Sequence, residues 1–332
     1  MTGPAIPARV LVAPDSFKGT FRAPEVAAAI GRGLEAAGLA PPDLCPVADG
    51  GEGTLEVLLT ALGGETAAAT VSDPLGRPVE AGFALIEDGA TAIVEMAAAS
   101  GLGRVAQDER DAEAATSRGT GELIVAAIAA GAQVVLIAAG GSATTDGGAG
   151  AIAAIEEAGG LHGARLVVLC DVRTPFEQAA KVFGPQKGAD PAAVARLTAW
   201  LEAMAATLPR DPRGLPLSGA AGGLSGGLWA AFGAVLEPGA PFVLSALGFD
   251  ARMRAARAVV VGEGRMDEQT LQGKVAGEIA TRARQAGVPC HAIVGRNELD
   301  RFGARMLDLQ RIIEATTLEE LEAAGASLAE VL

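Results

Sequence analysis

Apolar residues follow one recurring scheme at both ends of this chain. A short β-branched run ends in a polar turn, and an alanine-rich stretch with helical spacing follows. Arg9–Asp15 predicts a strand; Pro24 then opens a helix with Val26, Ile30 and Leu34 on one face, closing at Gly38. Leu44–Ala48 predicts a second strand, and Leu55, Leu58, Leu59 and Leu62 line the helix after it, which ends near Gly63. The scheme returns far downstream. Ala258–Val261 reads as a strand, Gly262–Thr270 as its turn, and Leu271, Val275 and Ile279 as the next helical face. Strands at Cys290–Val294 and Arg311–Glu314 complete the set.

The middle of the chain has a different pattern. Thr66–Val71, Val79–Ile86 and Thr91–Met96 succeed one another with short turns and no helix between them, as antiparallel or mixed strands do. A helix at Gly121–Ala130 and strands at Gln133–Ala138 and Arg165–Val172 follow. The expected fold is therefore α/β and discontinuous. Residues 1–66 and 243–332 form a doubly wound parallel sheet, and residues 67–242 form an inserted α/β domain with a mixed sheet. Ligands of such sheets bind outside the carboxyl ends of the strands, so a site is expected there, in a cleft facing the inserted domain. The Pro- and Gly-rich stretch Leu208–Gly227 reads either as a surface loop or as part of a lid.

Composition narrows the function. A net charge of −14, with no Tyr, argues against nucleic acid, which is held by Lys and Arg on phosphates and by stacked aromatics. The three cysteines, Cys45, Cys170 and Cys290, are widely spaced and read as buried thiols of a reducing compartment. Only two histidines, His162 and His291, are present and neither has a neighbouring ligand, which speaks against zinc and against a Ser–His–Asp mechanism. The first residues lack the basic and apolar regions of a signal peptide, and no apolar run reaches membrane-spanning length. A cytoplasmic protein without membrane partners is expected.

The chemistry concentrates in acidic, glycine-rich turns. Ala13–Thr20 (APDSFKGT), Pro46–Thr54 (PVADGGEGT), Gly140–Gly150 (GGSATTDGGAG) and Gly262–Thr270 (GEGRMDEQT) each place carboxylates on exposed backbone near a strand end. A Walker A motif is absent, and no GxGxxG follows the first strand. Gly140–Gly150 is the candidate phosphate cradle, since unpaired amides at a helix start attract anions. The alternative is a tight turn capped by its own hydroxyls. Asp49, Asp146 and Asp267 are likewise either helix caps or, for one or two of them, holders of Mg²⁺, which takes few carboxylates plus phosphate and water. Arg77 in Asp73–Val79 and Arg118 in Thr116–Ile124 are the loop arginines suited to a substrate carboxylate, with Ser100 as an added donor.

The motifs APDSFKG, ADGGEGT, DPLGRPV, ASGL, TSRGTGELI, GGSATTDGG, CDV, FGPQKGA, GAAGGL and GEGRMDEQTLQGK occur in this order from Ala13 onward. In that order they resemble the glycerate kinase type-1 family. The resemblance implies a flavodoxin-like domain interrupted by a second α/β domain. It also implies ATP- and Mg²⁺-dependent phosphorylation of D-glycerate, with 2-phosphoglycerate favoured over 3-phosphoglycerate, in a cleft whose closure excludes water. In that reading Lys18 neutralises phosphate charge and Asp49 and Asp267 hold metal or orient the hydroxyl, with Asp267 the first choice of base; Glu263 joins Asp49 at the metal. Gly140, Gly141, Ser142, Thr144, Asp146, Gly147, Gly148 and Lys274 bind the nucleotide. Ser16, Arg77, Ser100, Arg118 and Thr120 face the substrate. The oligomeric state stays open, a homodimer being one option. Thr145 stands where the family usually has Asn, Arg173–Phe176 departs from an Asn-Pro-Leu type segment, and the stretch between Gly160 and Leu166 is shortened. These departures keep open a kinase of another small hydroxy acid. A non-catalytic small-molecule sensor and a dinucleotide oxidoreductase are the readings from other classes; the missing GxGxxG counts against the second.

Overall fold

A computed structural model describes residues 9–272 and 274–332. Most of the segment read for a signal peptide, and Gly273 of the last motif, lie outside the described residues. The strands are β1 (Val10–Pro14), β2 (Asp43–Leu44), β3 (Glu65–Ser72), β4 (Pro78–Ile86), β5 (Thr91–Glu95), β6 (Val134–Ala138), β7 (Arg165–Cys170), β8 (Val235–Pro238), β9 (Ala258–Met266), β10 (Cys290–Asn297) and β11 (Leu309–Glu314). They form two sheets, one in each of two compact units. The first unit takes the chain up to Asp49 and again from Ala240; the second is Gly50–Gly239.

The first unit holds a five-stranded sheet in the order β11-β10-β9-β1-β2, with every pairing parallel. Ranked along the chain, this is the flavodoxin-like order, with its switch point between β1 and β9. Its strands read as unbroken apolar runs because both faces are covered. Val10, Val12 and Val260 pack with Val26, Ile30, Leu34, Leu321 and Leu328 on one side. On the other side, Leu11, Ala13, Val259 and Val261 pack with Phe249, Met253, Val275 and Ile279. Helices Ala23–Ala36 and Leu318–Ala329 meet closely at Gly33, where an added Cβ would overlap the Glu322 carbonyl oxygen.

Two first-unit expectations need correction. Only Asp43–Leu44 of the second strand forms a regular ladder, although Cys45 and Val47 N–H still donate to Val12 and Pro14 carbonyls at 2.8 and 2.9 Å. Pro46, which has no N–H, falls at the alternate position that does not donate to β1, as an edge strand tolerates. The segment Gly262–Met266, expected as a turn, is strand. Here β10 also runs past its apolar residues, so Glu263 pairs with Val294 and Met266 with Asn297. The turn proper begins at Asp267.

The second unit has a mixed six-stranded sheet in the order β3-β4-β5-β6-β7-β8, antiparallel from β3 to β5 and parallel from β5 to β8. Its core gathers Phe83, Val94, Leu123, Ile124, Val135, Ile137, Val168 and Leu224. The unit begins at Gly50, earlier than the expected boundary at 66/67, and ends at Gly239, a few residues before 242/243. The reason is a contact between residues far apart in sequence. Helix Thr54–Leu62 is tied to this sheet by Glu95 at the end of β5, which accepts the Gly53 and Leu55 N–H groups at 2.9 Å each. Nor is Leu208–Gly227 an open surface loop throughout. Ser218 and Ala220–Gly223 are buried, and helix Leu224–Phe232 begins within the stretch.

Gly33→Ala should lower first-unit stability by about 1–3 kcal/mol through overpacking, despite the better helix propensity of Ala. Gly103→Ala, whose Cβ would meet open space, should change stability by less than about 0.5 kcal/mol. Equilibrium denaturation of both variants checks the pair; equal effects would contradict the close helix contact.

Candidate active site

In the first unit, acidic residues converge where β1 ends beside the middle of β9. Pro14 pairs with Gly262, so the next residues, Asp15 and Glu263, lie together. The Asp15 N–H donates to the Gly262 carbonyl at 2.8 Å, and Asp15 Oδ1 accepts the Ser16 N–H at 2.6 Å. Phe17 and Phe21 then exchange backbone hydrogen bonds, making a tight loop with Lys18 at its tip. Lys18 Nζ lies 3.2 Å from Asp49 Oδ2; the lysine side chain is 57% exposed and the aspartate is buried. Burial pushes the Asp15 carboxyl well above the usual carboxylate range, and Asp49 pushes the same way against the pull of Lys18. Glu263 is pushed up to about 6, again mainly by burial, although Lys274 and the Thr270 hydroxyl favour its charge. Thr270 Oγ1 donates to Glu263 Oε1 at 2.7 Å.

Lys274 bridges the end of this cluster, with Nζ 3.4 Å from Glu263 Oε2 and 3.1 Å from Asp267 Oδ1. The Gln269 N–H also donates to Asp267 Oδ1, at 2.9 Å, so Asp267 organises its own turn. The structure thus brings together Ser16, Lys18, Asp49 and Glu263 in one neighbourhood, with Lys274 joining Glu263 to Asp267. Sequence reading noted Asp15 after its strand but gave it no role. The register of β1 on β9 is what places it. Among the described residues, no group of three or more His, Cys, Asp or Glu side chains forms a ready-made metal cage. A Mg²⁺ ion needs only one or two carboxylates when phosphate and water complete its shell. The buried carboxylates Asp49 and Glu263, gathered beside Asp15, suit a cation, so the residues fit the ion.

In the second unit, the turn Gly140–Gly148 follows β6 and enters helix Ala149–Glu157. Ser142, Thr144 and Thr145 are buried, and the Thr144 and Thr145 hydroxyls have no hydrogen-bond partner among the described residues. Asp146 is committed to the backbone. It accepts Ser117 N–H and Oγ–H at 2.8 Å each, the Gly148 N–H at 3.0 Å and the Gly150 N–H at 3.1 Å. This ties the turn to the start of helix Arg118–Ala129. Gly222, at φ +67°, lets the GAAGGL segment press on the Thr144 carbonyl, and its own carbonyl accepts the Gly147 N–H at 3.1 Å.

Sequence reading gave no role to the lysine of FGPQKGA. Lys187 is only 2% exposed, and its Nζ donates to Ser142 Oγ at 2.7 Å and to the Thr144 carbonyl at 2.6 Å. Burial pulls its ammonium down to about 7, against the opposing influence of Asp146 and Asp171. Its only trace in the sequence is a lone cation in a Gly–Pro–Ala segment, because burial of a lysine has no periodic signature.

The expected substrate-side residues of this unit are engaged internally. Arg77 Nε is 2.6 Å from Asp73 Oδ2, and its Nη1 reaches Glu109 at 3.2 Å. Arg118 binds Glu122 at 2.9 Å and Glu157 at 2.6 Å. Thr120 Oγ1 donates to Ser100 Oγ at 2.8 Å, and both residues are fully buried. The Ser100 carbonyl accepts the Ala143 N–H of the turn at 3.0 Å, and the two arginines hold carboxylates of the chain itself. The Arg173–Phe176 departure is also partly structural, since Phe176 is buried among Ala179, Leu197, Leu201 and Met204.

With this geometry in place, comparison with known proteins is decisive. The sequence profile of the glycerate kinase family matches residues 10–158 and 156–331. The chain belongs to the glycerate kinase family. It is 38% identical over 326 residues to a protein named glycerate 2-kinase from Escherichia coli (strain K12), covering 86% of this chain and 85% of the relative. To a glycerate kinase of Bacillus subtilis (strain 168) it is 40% identical over 326 residues, with the same coverage of 86% and 85%. A crystal structure provisionally named glycerate kinase 2, from Salmonella typhimurium LT2, superposes with a TM-score of 0.80 at 35% identity, covering 98% of each chain. This agrees with a parallel flavodoxin-like sheet interrupted by a mixed one. No helix among the described residues is long and apolar enough to cross a membrane.

Two outcomes follow for the family's second unit. Asp146→Ala should cost at least about 2 kcal/mol of stability, because several buried amides and a hydroxyl lose a charged acceptor; denaturation monitored by circular dichroism checks it. For Lys187, the folded group releases its proton near pH 7 while the unfolded one keeps it to about its ordinary value of 10.5. Between those limits the unfolded state binds more protons, so stability rises with pH, by an amount on the order of a few kcal/mol. Lys187→Met should flatten that rise, as read from urea unfolding at a series of pH values.

Proposed function

We propose that this chain is an ATP- and Mg²⁺-dependent glycerate kinase that transfers the γ-phosphoryl group to the 2-hydroxyl of D-glycerate. The observation that carries the reading is the buried carboxylate group at the β1/β9 switch point, flanked by Lys18, in a chain of this family. Asp15, Asp49 and Glu263 are buried together, with Lys18 on Asp49 and Lys274 on Glu263. Preference for the 2-hydroxyl rests on the name of the E. coli relative.

In the transfer, the substrate hydroxyl gives up its proton, its oxygen bonds to the γ-phosphorus, and the bond from that phosphorus to the ADP oxygen breaks. Asp49 and Glu263 would hold Mg²⁺, which supplies neutralisation of phosphate charge. Lys18, at the exposed tip of its loop, adds a mobile cation for the transferring group. Asp15 suits the proton acceptor better than Asp267. Its burial and its acidic neighbour raise its affinity for a proton, whereas Asp267 Oδ1 already accepts from Gln269 and Lys274. Gly140, Gly141, Ser142, Thr144, Gly147 and Gly148 would bind phosphates of the nucleotide, with Asp146 shaping their turn. Acceptance of a different small hydroxy acid is the second reading, because Thr145 is buried in that turn and its hydroxyl has no partner among the described residues.

Asp15→Asn and Asp49→Asn should each lower kcat by about 100-fold or more while leaving the circular dichroism spectrum unchanged. Asp267→Asn should be the milder of the three. Chelation of divalent ions should abolish ADP formation, and phosphorus NMR of the product should identify 2-phosphoglycerate. A 3-phosphoglycerate product would overturn the regiochemistry, and full activity of Asp49→Asn would overturn the site.

A further inference from the structure

We infer that Lys187 is the positioning residue of the Gly140–Gly148 turn, its amino group serving as an internal strut between Ser142 and Thr144. The functional side of this inference rests on the phosphate-binding role proposed above; the strut itself does not. Lys187 ends a short 3₁₀ turn, Pro185–Lys187, and reaches the glycine-rich turn from a separate part of the chain. Burying an ammonium is unfavourable unless hydrogen bonds and opposite charge offset the lost hydration. Here two short bonds, to Ser142 Oγ and the Thr144 carbonyl, meet that requirement. Asp146 and Asp171 add a longer-range attraction. Arg110 and Asp111 flank the lysine across a small space also bordered by Ala143, Leu102 and Val105.

The consequence for the turn follows from hydrogen-bond chemistry. Ser142 Oγ accepts from Lys187, so the hydroxyl hydrogen stays available for a ligand acceptor. The Thr144 carbonyl is held toward Lys187. Since the chain has no cis peptide bonds among its described residues, the following Thr145 N–H points the opposite way across the same planar unit. One buried amino group thereby orients a hydroxyl and an amide, both donors of the kind a phosphate oxygen takes. Gly222 presses on the same Thr144 carbonyl, but without a donor it sets position only.

The test uses the full chain with Lys187→Met and Lys187→Gln. Without any ligand, amide hydrogen exchange in a peptide covering 140–148 should accelerate about tenfold in Lys187→Met, the loss of a charge-assisted hydrogen bond. Exchange of β1 and β9 should not change. KM for ATP should rise about tenfold with kcat altered less than about threefold, since binding geometry rather than chemistry is lost. Lys187→Gln, which keeps a donor, should fall between the wild type and Lys187→Met, and it carries the test if the Met variant does not fold. Unaltered exchange in both variants overturns the strut, whatever KM does. Faster exchange with an unaltered KM supports the strut and overturns the phosphate-binding reading of the turn.

Discussion

The parallel pairing of β1 with β9 is the contact on which the first unit depends. Val10–Pro14 must find Ala258–Gly262, so the loop that is closed contains the whole second unit. Closing it has an entropic cost that grows slowly with length, and apolar burial on both faces of β1 offsets that cost. The same pairing sets the chemistry. Because Pro14 is registered on Gly262, Asp15 leaves the end of β1 beside Glu263, which is still held in β9. A slip by one residue would send Glu263 to the opposite face and dissolve the cluster.

The second unit solves a different problem, that of holding a glycine-rich turn still. Glycines give the turn its reach but no intrinsic stiffness. Stiffness comes from groups outside it: Asp146 bonded to the Ser117 end of a helix, Lys187 from FGPQKGA, and the Gly222 segment pressed on Thr144. The half-buried carboxylates of Asp146 and Asp171 also lessen the cost of burying the Lys187 amino group. Rigidity here comes from side chains and backbone brought in from remote sequence, and little of it from local helix or strand propensity.

That division explains what could be read from the sequence. Strands buried on both faces, such as β1 and the apolar half of β9, announce themselves as β-branched runs. The flavodoxin-like order and the inserted unit followed from those runs together with the family motifs. β8 was not visible, because its few residues are half exposed and carry no alternation. The unit boundary near Gly50 was displaced because the deciding contact is Glu95 on the Gly53 and Leu55 amides, a long-range interaction without local pattern. Of the carboxylates paired with Arg77 and Arg118, Asp73 and Glu122 lie four residues away in sequence, whereas Glu109 and Glu157 are brought in by the fold and had no local signature. Lys187 escaped notice because nothing local distinguishes a buried lysine from a solvated one.

The split of the first unit has a consequence for biosynthesis. A ribosome delivers Gly50–Gly239 as a complete sheet with its own core well before it delivers β9, β10 and β11. The insert can therefore fold while β1, with its continuous apolar surface, still has no neighbour on its β9 side. For that interval the nascent chain carries an apolar strand edge whose only correct partner has not been made. Translation speed through the region after Gly239 thus sets how long that edge must be shielded.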